Sequence, residues 1–167
     1  MIDSACPRAV VALARDGKIL AEVFLEEYTK HGENLPGAVR RCFELADLKV
    51  KDLEAIAVGI GPGSFIGVRI AMAHAKGLAM ALQIPLIGFD TLAGIDKRGF
   101  QCVAIDARRA EFYIYRQGAS SVSKSLPEDA YLETLGPDAA HIVSLLPGTP
   151  MDECFNLVPN YLRDHQC

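Results

Sequence analysis

Four glycines fall within the eleven-residue run Gly59-Ile60-Gly61-Pro62-Gly63-Ser64-Phe65-Ile66-Gly67-Val68-Arg69. Glycine is used where the backbone must take a positive φ or approach a neighbour closely, and each one costs chain entropy on folding. The run follows the apolar stretch Ala55 to Ile60 and precedes the Ala-rich stretch Ile70 to Leu82. It therefore reads as a strand ending in a tight turn that opens a helix. Such a turn can hold an anion on N–H groups at the helix N-terminus, or it can let two elements pack closely. The residues leave both open. Two phosphate-loop patterns fail: Gly67 is followed by Val68 and Arg69 where a Walker A loop needs lysine, and Ser64 stands where G-x-G-x-x-G needs glycine.

Two acids are placed for chemistry. Asp3 follows an apolar residue near a strand end, and Asp106 closes the run Val103-Ala104-Ile105. In a two-lobed phosphotransferase, one acid from each lobe faces a metal-bound phosphate across the cleft. On that reading Asp3, Ser4, Gly61, Gly63, Ser64 and Asp106 are the candidate phosphate-binding residues. The structural alternative is that Asp106 caps a turn and Asp3 ends a strand. Other chemistries find no support. His31, His74, His141 and His165 have no i, i+4 pair and no H-E-x-x-H, so no metal site is expected and each reads as a surface or partly buried polar residue. Ser64 lacks the spacing of a nucleophile elbow. The five cysteines are scattered without a C-x-x-C pair, which suggests reduced thiols rather than zinc or a disulfide framework. No catalytic residue is assigned.

The elements that must position these residues follow from periodicity and turn signals. Val10 to Leu13 and Ile19 to Leu25 read as a hairpin around Arg15-Asp16-Gly17-Lys18, with Met1-Ile2-Asp3 as the tail of an earlier strand. A helix follows, with Asn34 as its cap, Pro36 in its first turn, and Leu35, Val39, Cys42, Phe43 and Ala46 on one face. Next come the strand Ala55 to Ile60, the glycine turn, a helix from about Val68 to Leu82, a strand Pro85 to Phe89, and a short helix opened by Thr91. An antiparallel meander feeding crossover helices and parallel strands predicts an α/β fold with a mixed sheet, of ribonuclease-H-like or actin-like type. Composition shifts at Asp96-Lys97-Arg98-Gly99, which divides the chain into 1–96 and an abbreviated second lobe, 97–167. There, Cys102 to Ile105 and Phe112 to Tyr115 predict another hairpin, and Ile142 to Leu146 is a weak apolar segment.

The 167 residues are 50% hydrophobic and 23% charged, with a net charge of −4, so the chain can bury a core and carries no global basic field for nucleic acid. No leader is visible and the run Ile70 to Leu82 is too short to cross a bilayer, so a soluble cytoplasmic protein without membrane attachment is expected. That same helix is apolar nearly all round, offering only Arg69, His74 and Lys76 as polar residues, which predicts a helix covered on two sides. Its own tail could cover it; a second subunit fits better, because large apolar patches mark interfaces.

The glycine run, with Lys76-Gly77-Leu78-Ala79 and Pro85-Leu86-Ile87-Gly88-Phe89-Asp90-Thr91-Leu92, resembles the family of bacterial tRNA threonylcarbamoyladenosine biosynthesis proteins TsaB. That family carries G-P-G-S-F-T-G-x-R, with Ile66 here in place of the threonine. Ile2-Asp3-Ser4 is similar to its L-D-T opening, Ile105 to Tyr113 to its I-D-A-R-x-x-E-V-Y segment, and Pro159-Asn160-Tyr161-Leu162-Arg163 to its P-x-Y-L-R. The resemblance implies an actin-like ATPase fold without catalysis of its own. It also implies a scaffold that pairs with the catalytic subunit TsaD and recruits the ATPase TsaE, with tRNA engaged indirectly and a homodimer formed in isolation. The two N-terminal helices would be the contact, through Leu35, Val39, Phe43, Ile70, His74, Ala75, Leu78 and Ala79. No tightly bound cofactor is expected, with ATP or ADP and magnesium engaged only in the complex. The competing expectation is a small actin-like ATPase or sugar-kinase relative that uses Asp3 and Asp106 around Mg-ATP.

Overall fold

The computed structural model describes residues 1–26, 30–95, 102–132, 136–146 and 156–162. Strand β1 (Ile2–Asp3) pairs antiparallel with β2 (Ala9–Arg15), which returns as β3 (Lys18–Leu25). The connecting turn places Asp16 and Gly17 at φ 51° and 74°, the two left-handed residues that match a hairpin's twist. Helix α1 (His31–Ala46) leads to β4 (Ile56–Gly59), and helix α2 (Phe65–Leu82) leads to β5 (Leu86–Phe89). Both β4 and β5 run parallel to β1, giving a five-stranded mixed sheet of order β3-β2-β1-β4-β5. This is the predicted mixed α/β arrangement.

Two helix starts differ from expectation. Asn34 does not cap α1, which begins at His31 with Lys30 before it and Pro36 inside it. The buried His31 ring, with Nε2 3.2 Å from the Leu25 carbonyl, anchors that extra turn, so His31 is a core group rather than a surface one. Helix α2 begins at Phe65 because Ser64 Oγ accepts from Gly67 N at 3.1 Å, a cap that sequence inspection had placed in the turn. Residues 91–95 form hydrogen-bonded turns rather than a helix.

One face of the sheet, with Ile2, Val11, Leu13, Val58 and Leu86, is covered by Leu35, Ala38 and Cys42 of α1 and by Val68, Ala71, Ala75 and Ala79 of α2. The other face is roofed from the second half of the chain. Helix α3 (Ala139–Leu145), capped by Asp138 accepting from His141 N, sets Ala139 against Val10 and Ala12 and Ile142 against Ala57, Ile87 and Phe89.

A second sheet holds β6 (Val103–Arg108), β7 (Glu111–Arg116), β8 (Ala119–Ser123) and β9 (Tyr131–Leu132) in the order β8-β7-β6-β9. The β6–β7 hairpin was expected; β8 was not. Gln117 and Gly118, at φ 53° and 84°, form the same kind of two-residue turn as Asp16-Gly17. The expected hinge at Asp96 to Gly99 lies outside the described residues. Ala139 and Ile142 of α3 and Leu157 pack on the first sheet.

Candidate functional site

Four segments far apart in sequence meet at the carboxyl ends of β1, β4 and β5, and Asp3 is at their centre. Asp3 is 1% exposed. Its Oδ1 accepts from Ala5 N at 2.7 Å and its Oδ2 from Thr91 Oγ1 at 2.8 Å. Thr91 Oγ1 in turn accepts from Gly61 N at 3.2 Å, and Thr91 N donates to the Gly61 carbonyl at 2.8 Å. Burial raises the Asp3 pKa from its ordinary 3.8 to about 6; the Ala5 and Thr91 hydrogen bonds oppose that rise and nearby Asp90 adds to it.

The glycine turn folds inward on this chain. A side chain at 59 would strike the Asp3 carboxylate, and one at 67 the Ser4 carbonyl. Ser64 N donates to the Ala5 carbonyl at 2.7 Å, Val68 N to Ser64 O at 2.9 Å, and Ser4 Oγ to the Gly67 carbonyl at 2.7 Å. Gly61 N and Gly67 N are engaged by Thr91 and Ser64. Of the two uses the sequence left open, close packing is the one this geometry takes. Of the residues expected at phosphate, Asp3, Ser4, Gly61 and Ser64 are thus engaged within the chain, and Gly63 packs closely on Ala5. Among the described residues there is also no group of three or more His, Cys, Asp or Glu side chains able to hold a metal.

Asp106 is exposed, and its Oδ1 accepts from Arg108 N at 2.7 Å at the irregular end of β6. It caps its own turn. The acid that approaches Asp3 is instead Asp90, which sequence reasoning quoted within a motif but did not select. Asp90 Oδ1 accepts from Leu92 N and Ala93 N at 2.8 and 3.1 Å; Oδ2 accepts from Ser120 Oγ at 2.7 Å and Asn160 Nδ2 at 3.4 Å. Burial raises its pKa, against the effect of those bonds.

The residues predicted at a partner contact divide by face. Leu35, Phe43, Ala75 and Ala79 are buried in this chain's own core, where they fix α1 and α2 to the sheet and are not available to a partner. Val39, Ile70, His74 and Leu78 are half-buried. Of the two covers expected for α2, its own tail does not supply the second among the described residues, and the outer side of the helix is open in the single chain. Ile66, Arg69, Ala73, Gly77, Met80 and Ala81 are exposed, and Ile66 and Met80 are 68% and 51% accessible. By length and composition α2 would pass for a membrane span, but its inner row of alanines makes it the core helix of a folded domain.

At the head of α2, the Arg69 guanidinium lies 3.8 Å from the Phe65 ring centroid, and Arg69 Nε donates to Tyr161 Oη at 3.0 Å. The Tyr161 and Phe65 ring centroids are 5.2 Å apart. Residues from the opening Asp3 segment, the glycine run, the Asp90-Thr91 segment and the closing Asn160-Tyr161 segment thus meet around the glycine turn.

The ordered mixed sheet with α1 and α2 on one face, followed by a smaller second sheet, defines an actin-like ATPase type of domain. The family model for TsaD, tRNA N6-adenosine threonylcarbamoyltransferase, matches residues 18–156. The chain belongs to this family, and its relatives place it on the TsaB branch. It is 34% identical over 119 residues to the Escherichia coli tRNA threonylcarbamoyladenosine biosynthesis protein TsaB, covering 67% of this chain and 51% of that protein. It is 34% identical over 108 residues to TsaB of Bacillus subtilis, covering 62% and 47%. The solved structure of YeaZ from Pseudomonas aeruginosa superposes with a TM-score of 0.76 at 28% identity, covering 96% of this chain and 97% of that one. The chain spans about half the length of the curated relatives it matches.

Proposed function

We propose that this chain is a non-catalytic subunit in the synthesis of threonylcarbamoyladenosine in tRNA, working in the cytoplasm as a docking scaffold. Its occupant is a TsaD-type catalytic subunit, with a TsaE-type ATPase recruited to the pair and tRNA engaged through them. In isolation a second copy takes the same face. The observation that carries the reading is the outer stripe of α2, where Ile66, Ile70, Ala73, Gly77 and Met80 follow one another at helical spacing with apolar or small side chains. Small residues let another helix approach closely, and an apolar stripe in water favours such an approach. Family membership supplies the partner's class.

The test is to mix the chain with a TsaD-type protein and measure mass in solution. A single heterodimer is expected; two separate species at micromolar concentration would count against pairing. Met80→Glu or Ala73→Glu should abolish it, since burying an unpaired charge costs about 3 to 5 kcal/mol, roughly a hundredfold or more in affinity. The rival reading, an ATPase with Asp3 and Asp106 around Mg-ATP, is discriminated by calorimetry. Sub-millimolar binding of Mg-ATP to the isolated chain would favour the enzyme.

A further inference from the structure

Residues 156–162 lie over the carboxyl ends of β4 and β5, the position where open α/β sheets receive their ligands. Leu157 is buried against Gly88 and Ile60, in space that a side chain at 88 would take. Asn160 N donates to the Ile60 carbonyl at 2.7 Å, and the Asn160 carbonyl rests against Gly61. One residue further on, Tyr161 reaches Phe65 and Arg69 at the head of α2. The segment therefore runs from the crevice to the surface of the helix.

Asp90 is the group that joins this segment to the rest. One carboxylate oxygen is held by the backbone of its own turn, at Leu92 and Ala93. The other takes Ser120 Oγ from β8 of the second sheet and Asn160 Nδ2 from the returning segment. Three stretches separated by 30 and 70 residues in sequence thus converge on one side chain. The geometry points to a latched strap: residues 156–162 close over the carboxyl ends of β4 and β5, and Asp90 is the positioning residue that holds the strap there and sets Tyr161 on Arg69. This goes beyond the pairing proposed above, because it concerns the isolated chain.

The strap is tested on the full chain, without partner, by amide hydrogen exchange and by NMR of the Arg69 Nε–H group. Asp90→Ala should speed exchange at Asn160 and Tyr161 by roughly tenfold or more, as expected when a charge-assisted hydrogen bond is lost. It should also shift the Arg69 Nε–H resonance while α2 and β4 keep their protection. Asp90→Asn keeps the turn through its carbonyl oxygen but sets an NH2 donor against the Asn160 NH2, so it should keep Leu92 and Ala93 protected while leaving the strap's exchange accelerated. Wild-type exchange of the strap in Asp90→Ala, or equal acceleration throughout the molecule, would overturn the latch. Should Asp90→Ala fail to fold, Asn160→Ala provides the same readings: a shifted Arg69 resonance supports the strap, and an unchanged one sinks it.

Discussion

Helices α1 and α2 cover the same face of the same sheet, yet their outer sides are opposites. Outside α1 stand Glu33, Asn34, Arg40, Arg41 and Glu44, with Arg41 and Glu44 3.3 Å apart and Leu45 the one large apolar side chain among them. That is the polar exterior expected of a helix whose only task is to roof a sheet. Outside α2 stand Ile66, Ala73, Gly77, Met80 and Ala81, with Arg69 the one charged side chain, at the head of the helix. Roofing needs the inner rows alone, Leu35 and Cys42 in one helix and Ala71, Ala75 and Ala79 in the other. The apolar surplus on α2 serves no purpose within this chain, which is why it is the feature to perturb.

The comparison breaks most completely from the inside. Ala75→Glu or Ala79→Glu places a charge in a site 0% or 1% exposed and should unfold the chain, at a cost of several kcal/mol. On the α1 side, Leu35→Ala should cost about 2 to 5 kcal/mol. Chemical denaturation monitored by circular dichroism measures both, and a stable Ala75→Glu protein would mean that α2 packs the other way round.

The next effect is set by pH. The folded-state pKa of Asp3, about 6, lies above its ordinary 3.8, so its contribution to stability is complete below that lower value and is lost as pH rises through 6. Between about pH 4 and 7 the difference amounts to roughly 3 kcal/mol for this one group, at 1.36 kcal/mol per pKa unit. Asp3→Asn should flatten the stability profile across that window. A profile as steep as wild type would show that Asp3 is not the titrating group. Asp106→Asn, at an exposed turn, is the control and should shift stability by at most about 0.5 kcal/mol.

The smallest stability effects are outside, where they sharpen the contrast. Met80→Glu on α2 and Arg40→Ala on α1 should each change stability by no more than about 0.5 kcal/mol. Only Met80→Glu should change association with a TsaD-type subunit. Loss of pairing by both would make α1 part of the contact.

Much of the first lobe could be read from periodicity and turn residues. Asp16-Gly17, the apolar strand before Gly59 and the glycine turn each signal their structure locally. Strand β8 could not be read that way, because Ala-Ser-Ser-Val-Ser has little strand character and forms only by pairing with β7. For α2 the difficulty was the reverse. Alanine at 71, 73, 75, 79 and 81 fits every face, so periodicity could not tell Ala75, which faces the sheet, from Ala73, which faces water. The cost of the glycines was visible, but the groups they make room for, Asp3 and the Ser4 carbonyl, are more than fifty residues away. Asp90 was missed for the same reason, since its role depends on Ser120 and Asn160.

The roof supplied by α3 has a bearing on how the gene can be divided. Val10, Ala12, Ala57, Ile87 and Phe89 are sealed by Ala139 and Ile142, which come much later in the chain. Translation must therefore pass Ile142 before this side of the sheet is dry. Until then a ribosome-bound chain carries an oily wall that invites chaperones, and any expression fragment cut at residue 95 would keep that wall permanently.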